Sequence, residues 1–348
     1  MGSPRRRGWY LSATSTARGY TPLGEVESDR TGVLMAARSQ ASGALVDIRV
    51  LTPALAADRA FMRRLAGDMD KLREIRHTNL VSVMDFDERV GAIVYESVRG
   101  STLSHLLHGQ GSLELAASLV LLEDCVSGLE ALHITGVLHR NVTPDAVVVE
   151  TTGAVLLRDA ALSLAGETAG MLPDQQTCVA PEVLEGGAFT SAADLYAATA
   201  LFVEAFGGRT SKTALRSGVR AFLSEGMAKD PSQRSTTLEH FRHELDACAR
   251  ATMGEGWRKE GRGLLATAAA AEATRAIRAT SPPEPAHEGA NDAAATVALL
   301  QSPGPHDQRI LAGIGAVGFA ALVAVIFVAH GLSGSNSRPS GLLLPPNL

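Results

Sequence analysis

The sequence predicts an α+β protein of two lobes, strand-rich first and helical second, with a single C-terminal transmembrane helix. Three observations predict it. Up to residue 98 the apolar residues fall in short runs between turn clusters, with one helical stretch among them. From residue 100 to 246 they recur in long runs at helical spacing, so a strand-rich part precedes a helical one. Finally, Ile310–Ala329 is an apolar run without a charge. At about 1.5 Å per residue it spans a hydrocarbon core of about 30 Å.

Each element follows in order. Residues 1–18 carry a basic start without the apolar run of a secretory signal, and read as a flexible cytoplasmic arm. Gly32–Arg38 and Leu45–Leu51 flank the turn cluster Ser39–Gly43, a hairpin signal. Between Ala57 and Ile75, Phe61, Leu65, Met69, Leu72 and Ile75 recur every three or four residues, an amphipathic helix. Leu80–Asp85 and Gly91–Val98 read as strands. Ala116–His133 is a long apolar helix, and short strand-like runs follow at Val137–His139, Ala146–Val149 and Ala154–Leu157. Ser191–Phe206, Leu215–Ser224 and Thr236–Ala251 are further helices. Residues 247–308 turn alanine- and proline-rich, with a candidate helix over Ala266–Ala279, and read as a linker with little stable tertiary structure. The boundaries are therefore 1–18 arm, 19–246 folded domain, 247–308 linker, 309–331 transmembrane helix and 332–348 short outer tail.

Composition narrows the function. The 348 residues carry a net charge of -5, which excludes a basic footprint for nucleic acid. Three widely spaced cysteines exclude a disulfide framework or a CxxC zinc site. His240 and His243 stand at i, i+3 with no converging carboxylate–cysteine set, and read as a solvated helix face. Lysine is scarce: Lys71, Lys212, Lys229 and Lys259 are all there are, and none precedes residue 71.

Residues 136–144 read GVLHRNVTP, which resembles the catalytic loop of protein kinases, H-R-D-x-K-P-x-N. Other segments agree in order. LVDIRVL at 45–51 resembles the strand that carries V-A-I-K, and RDAA at 158–161 stands where D-F-G belongs. Ala180-Pro181-Glu182 is an intact A-P-E. SAADLY at 191–196 resembles the start of the central helix, and KDPSQR at 229–234 the late arginine motif. The resemblance spans roughly 19–246 and implies a bilobal protein-kinase-like fold. With the linker and the apolar run, the layout is that of bacterial membrane-anchored Ser/Thr kinases.

The resemblance also shows which chemistry is altered. Catalysis in this family is positioning plus electrostatic stabilisation of the transferred phosphoryl group. The loop Gly24–Gly32 has lost its inner glycines and carries Glu25, Glu27 and Asp29 where phosphates would lie. Arg49 takes the place of the phosphate-binding lysine, and Asp68 that of its helix glutamate, so an Arg49–Asp68 pair is expected. Asn141 replaces the catalytic base, Thr143 the loop lysine and Ala146 the metal-binding asparagine. Asp159 alone remains of the metal pair. Ala160 replaces a phenylalanine that packs between the amphipathic helix and His139, and Tyr95 guards the back of the nucleotide pocket. By contrast His139, Arg140, Glu182, Asp194 and Arg234, which hold the lobe together in the family, are all present.

The pattern implies a membrane-anchored pseudokinase at the cell membrane, its kinase-like domain in the cytoplasm. It would act as a scaffold or regulatory binding module for a protein partner, an active kinase or a cell-envelope protein. No catalytic residue and no cofactor are expected. Two alternatives stay open: an atypical Ser/Thr kinase, and a sensor that binds ATP with Mg²⁺ or Mn²⁺ weakly through Arg49, Asp68, Tyr95 and Asp159.

Overall fold

The computed structural model describes residues 19–162, 176–207, 215, 217–235 and 237–280. The predicted arm, transmembrane helix and outer tail lie outside these residues. No helix among the described residues is long and apolar enough to cross a membrane. The chain divides into two units, residues 1–276 and 277–348, and the first holds both lobes.

The N-terminal lobe is an antiparallel five-stranded sheet in the order β1-β2-β3-β5-β4. Its strands are β1 (Tyr20–Ser28), β2 (Gly32–Ser39), β3 (Leu45–Leu51), β4 (Val83–Asp87) and β5 (Ala92–Glu96). At Gly32 a Cβ would lie 1.9 Å from the Val50 carbonyl oxygen, so this glycine serves the close approach of β2 to β3. The amphipathic stretch between Ala57 and Ile75 is interrupted. A short helix α1 (Pro53–Ala57) ends at Asp58, whose side chain accepts from the Ala60 and Phe61 amides and caps α2 (Arg59–Leu72). Phe61, Met62, Leu65, Met69 and Leu72 form the buried stripe of α2.

The helical lobe begins with β6 (Gly100–Thr102) and α3 (Leu103–Gln110). Then come α4 (Leu115–Ile134), β7 (Val147–Glu150), β8 (Val155–Leu157), α5 (Pro181–Leu184) and α6 (Ser191–Ala205). The helices α7 (Ser217–Gly226), α8 (Leu238–Met253) and α9 (Trp257–Thr280) complete the described chain. Both α4 and α6 are apolar on nearly every face, as helices at the centre of a core must be. A parallel bridge between Leu80 and Leu157 ties the two lobes, with the Val81 amide donating to the Leu157 carbonyl at 2.9 Å.

Two expectations need correcting. Val137–His139 forms no strand, because the amides of His139 and Arg140 donate to the Asp194 carboxylate rather than to a neighbouring strand. And much of the 247–308 segment is not a loose linker. Residues up to Met253 complete α8, and the first turns of α9 pack onto the lobe. Trp257 and Leu265 are fully buried. Arg258 forks onto Glu123 at 2.6–2.9 Å, and Arg262 forks onto Asp124 at 2.8 Å. A Cβ at Gly261 would meet the Ala116 carbonyl oxygen at 2.3 Å. The small residues that suggest a linker therefore allow close helix packing.

Candidate functional site

Arg49 lies mid-strand on β3, paired in register with Leu34 of β2 and Ile93 of β5. Its guanidinium is fully buried and is met by acids from both lobes. Nη1 donates to Asp29 Oδ2 at 2.8 Å and to Thr31 Oγ1 at 2.9 Å, and Nη2 lies 2.8 Å from Asp159 Oδ2. Asp29 is locked by its own turn. Its Oδ1 accepts from the Thr31 amide, the Thr31 hydroxyl and the Gly32 amide at 2.6–3.1 Å. Arg158 forms a second arm. Its Nη2 donates to Glu27 Oε2 at 2.8 Å and to the Asp145 carbonyl at 3.2 Å, and its Nε to Asp159 Oδ2 at 3.3 Å. The Glu27–Arg158 bond joins β1 to the helical lobe across 131 residues of sequence.

Asp47, two residues before Arg49, shares its face of β3 by the strand period of two. Its carboxylate accepts from the Ser97 hydroxyl at 3.4 Å and from the Val98 amide. Burial raises its pKa despite the nearby Arg158. Burial likewise raises Glu27, which Arg158 and Arg49 only partly offset. For Asp159 burial acts upward too, but Arg49 and Arg158 together hold the carboxyl below its ordinary range. The buried Tyr95 hydroxyl sits beside Asp159, and burial together with that carboxylate raises its pKa.

Asp68 and Arg49 do not pair, which corrects the expectation from sequence. Asp68 is taken by Arg64 one turn earlier on α2 at 3.3 Å, while Arg49 is occupied by Asp29 and Asp159. Arg64 also donates to the Ala161 carbonyl at 3.1 Å, so it links α2 to the chain after Asp159. Both Asp159 and Ala161 have left-handed backbones, with φ of 64° and 68°, a strain of about 1–3 kcal/mol each that the surrounding bonds must hold.

Where the phenylalanine ring would stack, a cavity of about 20 Å³ remains among Leu72, Val83, Tyr95, Leu157 and Ala160. That is room for one water, not for a ring. Replacing Ala160 by phenylalanine is therefore expected to overpack this point and lower stability by about 1–3 kcal/mol. Urea denaturation of the variant checks this; an unchanged or raised midpoint would show that the ring finds space.

Around the loop, Asn141 donates its amide to His139 Nδ1 at 3.3 Å. His139 is fully buried, and burial lowers its pKa despite Asp194 and Asp159. The sign follows from linkage. The unfolded imidazole titrates near about 6.5 and the folded one lower, so this contribution is intact above about pH 6.5 and is lost as pH falls through that window. Denaturation midpoints measured from pH 7.5 down to 5.5 should fall, and fall less in His139→Gln. Glu27 and Asp47, with raised pKa values, contribute with the opposite sign at lower pH.

The scaffold residues make strong bonds. Arg234 forks onto Glu182 at 2.6 and 2.8 Å, donates to the Ala228 and Ala192 carbonyls, and lies over the Tyr196 ring. Asp194 accepts from the His139 and Arg140 amides at 2.9 and 2.8 Å and contacts His133 Nε2 at 2.8 Å. Arg140 itself lies 5.9 Å from the Phe189 ring.

Mg²⁺ with ATP is the group a kinase-like site implies, and the residues present do not fit it. One Asp159 oxygen, Oδ2, is shared by two guanidiniums, and a cation at the buried Oδ1 beside it would lie close to both of these positive charges. Ala146 is buried and has no ligand atom. Among the described residues no group of histidine, cysteine or carboxylate side chains is arranged to hold a metal ion. The arginines that could hold phosphates already hold Asp29 and Glu27.

Fold and site together define a two-lobed protein kinase architecture with rearranged nucleotide-facing residues. Residues 29–216 match the family model described as protein kinase domain, more than half of the chain, and the chain belongs to that family. It is similar to the serine/threonine-protein kinase PkaA of Streptomyces coelicolor, with 28% identity over 85% of this chain and 60% of that protein. It is also 28% identical to the serine/threonine-protein kinase PknA of Mycobacterium tuberculosis over 48% of this chain and 42% of that one. The chain thus spans 60% of the first relative's length and less of the second's. Among solved structures, the PknI kinase domain of Mycobacterium tuberculosis matches with a TM-score of 0.56 and 22% identity. That match covers 67% of this chain and 96% of that domain, and shows the shared fold.

Three residues of the site carry no motif signal in the sequence. Asp47 has only its i, i+2 spacing to Arg49 to mark it. Arg158 stands next to Asp159, and Arg64 one turn before Asp68. None matches a motif letter of the family, and their roles emerge only when the lobes meet.

Proposed function

We propose that this chain is a pseudokinase: a kinase-fold binding module in signalling that does not transfer phosphate. The observation that carries the reading is the pairing of Arg49 with Asp29 and Asp159. The cation meant for phosphate and the carboxylate meant for metal neutralise each other. Around them Asn141 cannot serve as an anionic base, and Ala146 cannot bind a metal. The bonds of Glu182, Asp194 and Arg234 keep the helical lobe folded, which is what a partner-binding surface requires. The apolar run Ile310–Ala329 would tether the module to the cell membrane with its folded unit in the cytoplasm. The partner would be a protein, an active kinase or a cell-envelope component.

The test is a radiolabel transfer assay on the full chain in detergent, with ATP and Mg²⁺ or Mn²⁺ and a generic acceptor protein. No incorporation above an Asp159→Ala control supports the reading. Incorporation that Asp159→Ala abolishes overturns it in favour of an atypical Ser/Thr kinase. That second reading draws on the relatives, which are named as Ser/Thr kinases, and on the preserved positions of Arg49 and Asp159.

A further inference from the structure

The first turn of α6 holds a second cluster of polar side chains, outside the arginine site. Thr190 caps this helix, its hydroxyl accepting from the Ala193 amide at 3.3 Å, so the exposed Ser191 that follows is not needed as a cap. The Ser191 hydroxyl lies 2.9 Å from Nδ1 of His133, near the end of α4. Nε2 of the same ring lies 2.8 Å from Oδ2 of Asp194, which is 3% exposed and held in turn by the His139 and Arg140 amides. A carboxylate only accepts, so in the neutral ring the proton sits on Nε2, and Nδ1 offers its lone pair to the Ser191 hydroxyl. The relay runs from solvent inward: Ser191 is exposed, and His133 is 13% exposed. A hydroxyl beside a basic nitrogen, itself fixed by a buried carboxylate, is the arrangement that makes serine a nucleophile.

We propose that Ser191, His133 and Asp194 form an acyl-transfer site for small activated esters. Ser191 is the nucleophile, His133 the base, and Asp194 orients the ring. Ser191 Oγ bonds to the ester carbonyl carbon as its proton passes to His133 Nδ1. Collapse of the adduct breaks the bond to the leaving oxygen, which takes that proton. Water then cleaves the acyl-serine by the same route, releasing a carboxylic acid and restoring the hydroxyl. The Ser191 and Ala192 amides occupy the first two positions of α6, where no helical carbonyl can receive them. They are donors for the oxyanion beside the nucleophile, a role that the nucleophile's own amide can fill. The open position of Ser191 suits a small, unhindered acyl group. Asp194 keeps its hold on the loop meanwhile, since its Oδ1 takes the Arg140 amide while Oδ2 faces the ring. Acyl transfer here uses none of Arg49, Arg158 and Asp159, so it is independent of whether the chain transfers phosphate.

The test uses the full chain in detergent and two probes. A fluorophosphonate forms a bond from serine oxygen to phosphorus as fluoride leaves, and p-nitrophenyl acetate releases p-nitrophenolate when cleaved. Peptide mass spectrometry should find the fluorophosphonate on Ser191 and not on Ser224, an exposed serine of α7 whose hydroxyl donates to the Arg220 carbonyl at 2.8 Å. Ester cleavage should drop in Ser191→Ala, which removes only a surface hydroxyl, to the rate that other surface side chains give. His133→Gln should slow labelling of Ser191 by about 10²–10⁴-fold, the usual share of a general base. If circular dichroism shows that His133→Gln disturbs the fold, the labelled position and the Ser191→Ala comparison decide. The proposal is overturned if Ser191 is labelled no faster than Ser224, or if Ser191→Ala cleaves the ester as fast as the native chain. Labelling of a folded His133→Gln chain at the native rate overturns it equally.

Discussion

A chain carrying Arg49→Met is expected to lose about 3–5 kcal/mol of stability, the usual consequence of removing one partner from a buried ion pair. Methionine fills a similar volume, so packing is largely kept. What changes is charge: Asp159 is left 3% exposed with the longer Arg158 contact at 3.3 Å, and Asp29 loses its bond across to β3. Arg49→Lys should lie between the two. A single ammonium keeps the charge but cannot fork between Asp29 and Asp159 as the planar guanidinium does. Chemical denaturation of the three proteins measures the order. The lysine restores the family's own residue, so a lysine variant as stable as the native chain would mean that the fork between Asp29 and Asp159 adds nothing beyond a single charge.

The second large effect lies far from the site. Trp257→Ala should cost about 3–5 kcal/mol, because it empties a fully buried indole position at the root of α9. Its Nε1–H has no hydrogen-bond partner among the described residues, so Trp257→Phe removes an unsatisfied donor together with some volume and should be far milder. A truncation after residue 250 removes the same indole along with the Arg258–Glu123 and Arg262–Asp124 forks. It also strips Asp124, 4% exposed with α9 in place, of its arginine partner. Such a fragment should unfold at clearly lower denaturant than the longer chain. Equal midpoints would return α9 to the status of a linker.

Arg49 and Trp257 also mark where the sequence was legible and where it was not. Periodicity located the buried stripe of α2 and the apolar helices α4 and α6, since burial imposes the spacing directly. The motif letters point to Glu182, Arg234 and Asp194; Arg234 forks onto Glu182, and Asp194 accepts from the His139 and Arg140 amides. Alanine-rich composition marked helix within α9 but not its packing onto the lobe, because small residues suit both loose linkers and close helix contacts. Only the tertiary fit of Gly261 against Ala116 separates the two. The expected Arg49–Asp68 pair failed for a related reason. Motif alignment pairs residues by precedent, whereas a buried guanidinium pairs with whatever anions the fold brings nearest. Here Asp29 arrives from a turn that alignment treats as a phosphate loop.

Glu27, Asp29, Asp47 and Asp159 thus surround Arg49 and Arg158, and the charges of the two arginines are paired within the chain. Calorimetric titration of the full native chain with millimolar ATP and either Mg²⁺ or Mn²⁺, alongside thermal unfolding under the same conditions, bears on this self-pairing without an intermediate step. No saturable heat and no shift of the unfolding temperature are expected. Stoichiometric, saturable binding that Asp159→Ala abolishes would contradict the self-satisfied site, because the carboxylate and the arginines would then be available to a nucleotide rather than to one another.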